Sequence, residues 1–377
     1  MFDQESKNKF IIIILIIFNL IICSVCTKQN TEWRGKIEEE NGITIVRNPK
    51  KPLYTGSHFY LEEDLSLGET KGKEEYMFSR IKIEVDEEEN IYVLDMKASN
   101  IRVFDKHKEF LRTIGGKGQG PGEMQMPVIF QVTPKREVMV YDVVSRRLTF
   151  FSQDGKYLKQ ISAANIRALV LSLKADLSGN FIGLLSYNPW TKEIKKYNSK
   201  LEPSFTIAKK EEKPNQGDVR RMMTPSLKYE ISKDGYIIWG YSNKYELNVV
   251  NPEGKLIRKI NKIYDPVKLS EKSKNKRKEK MIRRMASFGL KAKLLFPKYH
   301  PPFLDFSLDE KGNIFVLTIG KDEKKYFDLF NVEGRYIAKV PLKITLSEII
   351  LKKDKLYTID ENEEGFPVVK RYRIIWH

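Results

Sequence analysis

The sequence predicts an all-β fold, a six-bladed β-propeller of four-stranded blades whose ring is closed by an N-terminal strand, with a helical insertion between blades four and five. Three observations carry this reading. A unit of one apolar strand, an acidic or polar turn with Gly or Asn, a second strand and a third ending near another turn recurs six times. The second strands, anchored on Ile91, Val138, Phe181, Ile237, Ile314 and Leu356, follow one another at steps of 47, 43, 56, 77 and 42 residues, the period of propeller blades. The first strands, IKIEV, VIFQV, LSLKA, LKYEI, LDFSL and SEIIL, mostly alternate apolar with polar or small residues, as a half-buried strand does.

The six copies run over 81–114, 128–161, 169–207, 227–260, 303–340 and 347–376, the third being the loosest. The 77-residue step holds one blade plus an insertion of about thirty residues. The last copy shows only three strands. The missing one is expected from WRGKIEEENGITIVRNP, residues 33–49, paired with KRYRIIW near the C-terminus; such pairing abolishes the open sheet edges.

Residues 1–26 are set apart from the fold as a signal or anchor segment, 27–42 as a spacer and the start of the closing strand, and 43–377 as the propeller. MFDQESKNK carries two lysines near its end, and Phe10 to Val25 is an uncharged run of sixteen residues. That is short of the roughly twenty needed to span a bilayer and suits the apolar core of a secretory signal. Cys23 and Cys26 are the only cysteines. Their placement resembles a bacterial lipoprotein signal, which implies lipidation at Cys23, with Cys26 as the alternative; an uncleaved helical anchor is the other reading. In each case the rest of the chain lies outside the cytoplasmic membrane, tethered to it in the bacterial cell envelope. With no cysteine after residue 26 it has neither disulfides nor a thiol nucleophile.

The glycine-rich stretch GGKGQGPGEMQMP, Gly115 to Pro127, is not a phosphate loop. Lys117 is followed by Gly118 where a P-loop needs Ser or Thr. The dinucleotide spacing fails as well, because the third glycine would fall on Pro121 or Glu123 and a strand follows. The glycines are expected to serve the tight return from one blade to the next. This connection, 115–126, and those at 208–224 and 261–301 all run from an outermost to an innermost strand. Repeated strand polarity puts all three on one face, which is expected to carry the binding site.

Net charge is +17, and Lys268 to Lys298 alone holds twelve Lys/Arg against two Glu. Met281, Met285, Phe288, Ala292 and Leu295 recur at steps of four, three, four and three, one face of a helix with a break at Gly289. A basic flap results, with Lys276, Arg277, Arg283 and Arg284 as its exposed charges. It either packs its apolar face on the propeller or touches anionic lipid or a polyanionic ligand. Nucleic acid is excluded as a partner by the signal segment.

The central residues of the innermost strands align as Lys82, Ile129, Ser172, Lys228, Asp305 and Glu348. Opposite charges fall on adjacent blades twice, Glu348 beside Lys82 and Lys228 beside Asp305. Two ion pairs in the channel are expected, with a cation or ligand site at Asp305 and Glu348 as the alternative. The four histidines, His58, His107, His300 and His377, show no metal-ligand spacing, and no Ser-His-Asp set is recognisable.

NIYVLD, IRVFDKHKEFLRTIGGKGQGPGEM and FNVEGRYIAKV resemble NHL repeats, over about residues 43–377. That resemblance implies the propeller fold and leaves activity open. NHL-like propellers include amidating lyases, and related six-bladed folds include calcium-dependent lactonases; both need converging metal ligands, which the sequence does not assemble. The expectation is a monomeric, non-enzymatic binding or scaffolding module without cofactor. Its partner is a protein, anionic glycan or lipid. The alternatives are a metal-assisted lyase or hydrolase at the channel mouth, and an envelope sensor using the basic flap.

Overall fold

A computed structural model describes residues 32–377, apart from 57, 69–71, 213–218, 288 and 345. The chain divides into two units, Met1–Arg34 and Gly35–His377, and everything below concerns the second. Cys23, Cys26 and the apolar run before them lie outside the described residues.

Six four-stranded antiparallel arrangements form the blades, each beginning at the axis and ending at the rim. Blade one is Ile81–Val85, Ile91–Asp95, Asn100–Phe104 and Phe110–Ile114. Blade two runs from Pro127–Val132 to Tyr157–Ser162, blade three from Leu169–Ala175 to Pro203–Glu211, and blade four from Leu227–Ile231 to Leu256–Lys262. Blade five spans Asp305–Leu308 to Tyr336–Pro341. Blade six is built from Ile350–Lys352, Lys355–Glu361 and Pro367–Trp376, and its fourth strand is Phe59–Leu67.

The first hairpin of a blade turns on a recurring device. In DEEEN, DLSGN and DEKGN an Asp carboxylate accepts the amide of the Asn four residues on, at 2.8 Å for Asp86, Asp176 and Asp309. The residue before that Asn has positive φ, supplied by Gly179 and Gly312 but by Glu89 in blade one. Apolar side chains then fill the spaces between blades. Met139, Leu148, Leu173 and Leu185 join blades two and three, and Phe327, Val340, Leu356 and Tyr372 join five and six. Ile83, Val93, Tyr357 and Val369 join six and one.

The ring closes with an N-terminal strand, but not with residues 33–49. Asn41 and Gly42 have φ of 53° and 74°, the pair of left-handed residues of a type I′ turn. They fold Lys36–Glu40 back on Ile43–Asn48 as a hairpin, with Arg47 holding Glu38 and Glu40. Its second strand lies parallel to Leu256–Lys262 and extends blade four outward. Asn48, buried, then ties this rim to blade five by accepting from the Tyr336 amide at 2.6 Å and donating to the Gly334 carbonyl at 2.8 Å. Closure falls to Phe59–Leu67, which pairs antiparallel with Pro367–Trp376. Charge explains the choice. FYLEEDLSL sets Glu62, Glu63 and Asp64 against Arg373, Lys370 and Arg371 at 2.9, 2.8 and 2.8 Å.

Arg371 is the inner one of the three, with its side chain 10% exposed, and also donates to the Lys106 carbonyl of blade one at 2.7 Å. Arg371→Ala is expected to lower stability by about 3 kcal/mol, the loss typical of a broken buried pair. Arg373→Ala, whose partners are half exposed, should cost under about 1 kcal/mol. Urea denaturation of the two variants checks this; equal losses would show that closure does not depend on the buried pair.

Candidate functional site: the channel and the connection face

Strand alternation turns every second residue of an innermost strand toward the axis. Lys82 Nζ stands 3.5 Å from Glu348 Oε1, across blades one and six, and the Ile83 amide donates to Glu348 Oε2 at 3.1 Å. Lys228 Nζ is 2.7 Å from Asp305 Oδ2 across blades four and five. Ser172 Oγ lies 3.2 Å from the Tyr229 hydroxyl, which joins blade three to blade four. Ile129 holds the equivalent position in blade two, opposite Tyr141 as Lys82 is opposite Leu94, but is apolar and packs between blades two and three. Gln131, two residues on and so on the same side, accepts from the Ala175 amide at 2.7 Å.

A second layer, two residues further along each strand, escaped the sequence alignment. Lys174 Nζ contacts Glu230 Oε2 at 2.5 Å, and Glu84 faces the same space. The signal was present in K-x-E, S-x-K and K-x-E at 82–84, 172–174 and 228–230, since a period of two carries the next polar residue to the same side. Burial pushes the Glu84 carboxyl up to about 8; Lys174 opposes this, and Glu348 and Glu230 add to it. Burial also raises the Glu348 carboxyl. Below the Glu84 value, Lys82, Lys174 and Lys228 face the charges of Glu230, Asp305 and Glu348, three against three. The channel is thus a set of compensated pairs between neighbouring blades.

At the far mouth, where the first hairpins of the blades turn, a cavity of about 350 Å³ is lined by Asp86, Asp176, Asp309 and their neighbours. Those carboxylates hold their own turns by the bonds described above. Among the described residues, no group of three or more His, Cys, Asp or Glu is placed to hold a metal ion.

The opposite face, here the connection face, carries the links from rim strand to axis strand. In the first link Gly116–Lys117 pairs parallel with Glu123–Met124, and the Glu123 carboxylate accepts from the Gly120 amide at 2.8 Å. A Cβ on Gly118 would sit 2.0 Å from that carboxylate, so this glycine makes room for the loop's own side chain. The second and third links touch each other: Val219–Arg221 pairs parallel with Lys293–Leu295.

The third link is the basic insertion. Its neck is zipped by the Leu269 and His300 amides, which donate to the Lys298 and Val267 carbonyls at 3.0 and 2.8 Å. Ser270 caps the helix Glu271–Ala286 by accepting from the Ser273 amide at 3.1 Å. Glu323, in a turn of blade five, accepts from the Ser270 hydroxyl and amide and from the Ser273 hydroxyl, at 2.5, 2.9 and 2.8 Å. His300 Nε2 is 3.1 Å from the same carboxylate. The hydroxyl and amide of Ser270 and the His300 ring hold the Glu323 carboxyl down to about 2.

The helix is shorter than its periodicity suggested. It ends at Ala286; Gly289 has a φ of 66°, and Leu295 belongs to the short strand paired with Val219–Arg221. Met285 is buried and Met281 half-buried, whereas Lys276, Arg277, Arg283 and Arg284 are exposed. No helix among the described residues is long and apolar enough to cross a membrane. Exposed apolar side chains share this face at the starts of axis strands and in turns: Met77, Met126, Val144, Leu169 and Tyr187.

Comparison with known proteins places the chain among six-bladed propellers. It belongs to the DUF5128 family, described as a 6-bladed β-propeller, which matches residues 69–367. A protein of Bacteroides fragilis described as exported has the same fold at 15% identity, over 88% of this chain and 99% of that one, with a TM-score of 0.54. A DUF4221 member from Bacteroides vulgatus is similar at 12% identity, over 85% and 99%, with a TM-score of 0.54. A gluconolactonase from Xanthomonas campestris is similar at 10% identity, over 78% and 84%, with a TM-score of 0.43. No curated protein sequence matches the chain.

The channel makes a pH prediction. The native state keeps the Glu84 proton to about pH 8, whereas an unfolded glutamate loses it near its ordinary value of 4.5. Between those values the folded chain binds more protons, so stability falls as pH rises and levels off above about 8. Glu84→Gln removes this slope. Denaturant midpoints should show the variant gaining on the natural protein from pH 5 to 8.5; parallel profiles would contradict the assignment.

The flap makes another. Glu323→Gln should raise the rate of tryptic cleavage within 268–298 several-fold, while the propeller's urea midpoint changes little. Because the Glu323 carboxyl is held down to about 2, the tether persists through pH 4.5 and is lost only as pH falls toward 2. Unchanged cleavage in the variant would show that Glu323 does not hold the helix.

Proposed function

We propose that this protein is a non-enzymatic, NHL-like binding module of the bacterial cell envelope that presents its connection face to an anionic membrane surface. One observation carries the reading. The exposed helix Glu271–Ala286 holds eight Lys/Arg against two Glu, on the face that also carries the other long links and a scatter of exposed apolar side chains. Basic side chains with apolar neighbours suit a surface of negative headgroups, each charge near it contributing about 1 kcal/mol. In this reading the apolar run Phe10–Val25 and a lipid on Cys23, or on Cys26, hold the chain at the membrane. One acyl chain alone gives marginal, reversible binding, so a basic patch is the kind of second contact that makes attachment stable. The exported description of the Bacteroides fragilis protein supports the same compartment.

The test is partition of the full-length chain between vesicles. The anchor contributes equally to phosphatidylcholine vesicles and to vesicles containing phosphatidylglycerol, so the difference between them reads the flap. The natural protein is expected to prefer the anionic vesicles at least tenfold at low salt, and changing Lys276, Arg277, Arg283 and Arg284 together to Gln should abolish the preference. Equal binding to both vesicles, or a variant that keeps the preference, overturns the proposal.

A further inference from the structure

Between blades four and five, opening on the connection face at the foot of the insertion, lies a second cavity of about 350 Å³. Its floor is unusual for a propeller interface. Lys262, at the end of the rim strand of blade four, has a side chain only 5% exposed, 3.2 Å from Asp328 of blade five, itself 1% exposed. The hydroxyls of Tyr245 and Tyr336 donate to the same carboxylate at 2.8 and 2.9 Å, and Lys339 Nζ approaches it at 3.3 Å. Lys262 Nζ also sits 4.9 and 4.5 Å from the ring centres of Tyr245 and Tyr336. At the rim the pattern repeats: Asp265 is shared by Lys50 at 2.5 Å and Lys321 at 3.4 Å.

Four ammonium groups therefore line a half-enclosed space with two carboxylates. Counting Glu323, which reaches the cavity only through His300, still leaves an excess of one positive charge. An ammonium offers three donors, and Asp328 already receives two tyrosine hydroxyls as well as two lysines. Burial pushes the Lys262 ammonium down; Asp328 opposes this, while Lys339 adds to it. His300 provides an independent sign. It lines the cavity, is 7% exposed, and its buried Nδ1 has no hydrogen-bond partner among the described residues. Buried polar atoms without partners are uncommon and call for an explanation. Tyr264, Tyr326, Pro301 and Pro302 contribute flat, weakly polar wall beside aliphatic and backbone surface. A volume of this size, with partly aromatic walls and a few convergent polar groups, matches a small-molecule site.

We propose that this cavity binds a small organic anion, a ring-bearing carboxylate or phosphate of about the size of a sugar acid. Its charge meets the ammonium groups that two aspartates do not balance, and its ring lies against the tyrosine and proline walls. The site is separate from the exposed face of the basic helix and does not require that helix to bind anything.

Isothermal titration of the full-length protein in detergent, with D-glucuronate, glucose 6-phosphate and neutral D-glucose as probes, tests it. One or both anions should bind and glucose should not; which anion binds more tightly distinguishes carboxylate from phosphate. Lys339→Gln, at a half-buried lysine, and Lys321→Gln, at an exposed one, should each weaken the anion by about tenfold, as loss of a charged hydrogen bond does. Tyr264→Ala should also weaken it. The flap variant at Lys276, Arg277, Arg283 and Arg284 should bind the small anion unchanged, which separates this outcome from that of the vesicle experiment. Folded protein that binds neither anion, binding insensitive to Lys339 and Lys321, or binding lost in the flap variant overturns the proposal.

Discussion

The pairing of Phe59–Leu67 with Pro367–Trp376 is the constraint on which the rest of the molecule depends. A propeller blade hides its faces only against neighbours, so an incomplete sixth blade would expose the walls of blades five and one together. Phe59 shows why one strand matters so much. It is fully buried, with its ring 5.9 Å from Phe315 of blade five and 5.1 Å from Trp376 of blade six. At the other end of the pairing, Leu67 packs with Ile83 and Val93 of blade one. Apolar burial supplies the strength of this closure and opposes a one-residue slip, which would turn Phe59, Leu65 and Leu67 outward. The acidic run at 62–64 meeting the basic run at 370–373 adds to the same register.

The blade count was legible because it rests on periodicity, which survives sequence drift: Ile91, Val138, Ile237 and Ile314 mark the same strand in the same kind of turn-bounded unit. The closing strand was harder to place. Residues 33–49 and 59–67 are both strand-like and each carries three acidic residues, but the first balances them with Arg34, Lys36 and Arg47 and folds on itself at Asn41–Gly42. Length patterns also mislead when the chain changes secondary structure midway. Met281, Met285, Ala292 and Leu295 keep helical spacing, yet the helix stops at Ala286 and Leu295 pairs as a strand with a segment some seventy residues earlier. A non-local partner of that kind leaves no trace in local spacing.

The candidate sites show the same division. Charges at the axis were partly readable, since strand alternation and blade order place Lys82 beside Glu348 and Lys228 beside Asp305. Ile129 falls at the same strand position in blade two, where an apolar side chain packs between blades and carries no charge. The cluster of Lys262, Asp328, Tyr245 and Tyr336 was not readable at all. Its members come from the rim strand of one blade, the turn before that blade's third strand and two strands of the next. In the sequence each reads as an ordinary solvated lysine or core tyrosine.

The location of the cavity follows from the chain's detour. Where one blade passes directly to the next, short links such as 163–168 lay residues like Ala163 and Ile166 into the apolar seam between them. Between blades four and five the link leaves the seam for the basic helix and returns only at His300, so the outer seam must be filled from the blades themselves. The large side chains available there are Lys262, Tyr245 and Tyr336, with Tyr264 from the start of the link, and a lysine placed so deep needs Asp328 as its counter-charge. The N-terminal hairpin, laid along the rim of blade four with Asn48 bonded into blade five, braces the seam from outside without filling it. An insertion that carries the basic helix outward thus also creates the polar cavity beneath it, and Glu323 with His300 joins the two by hydrogen bonds.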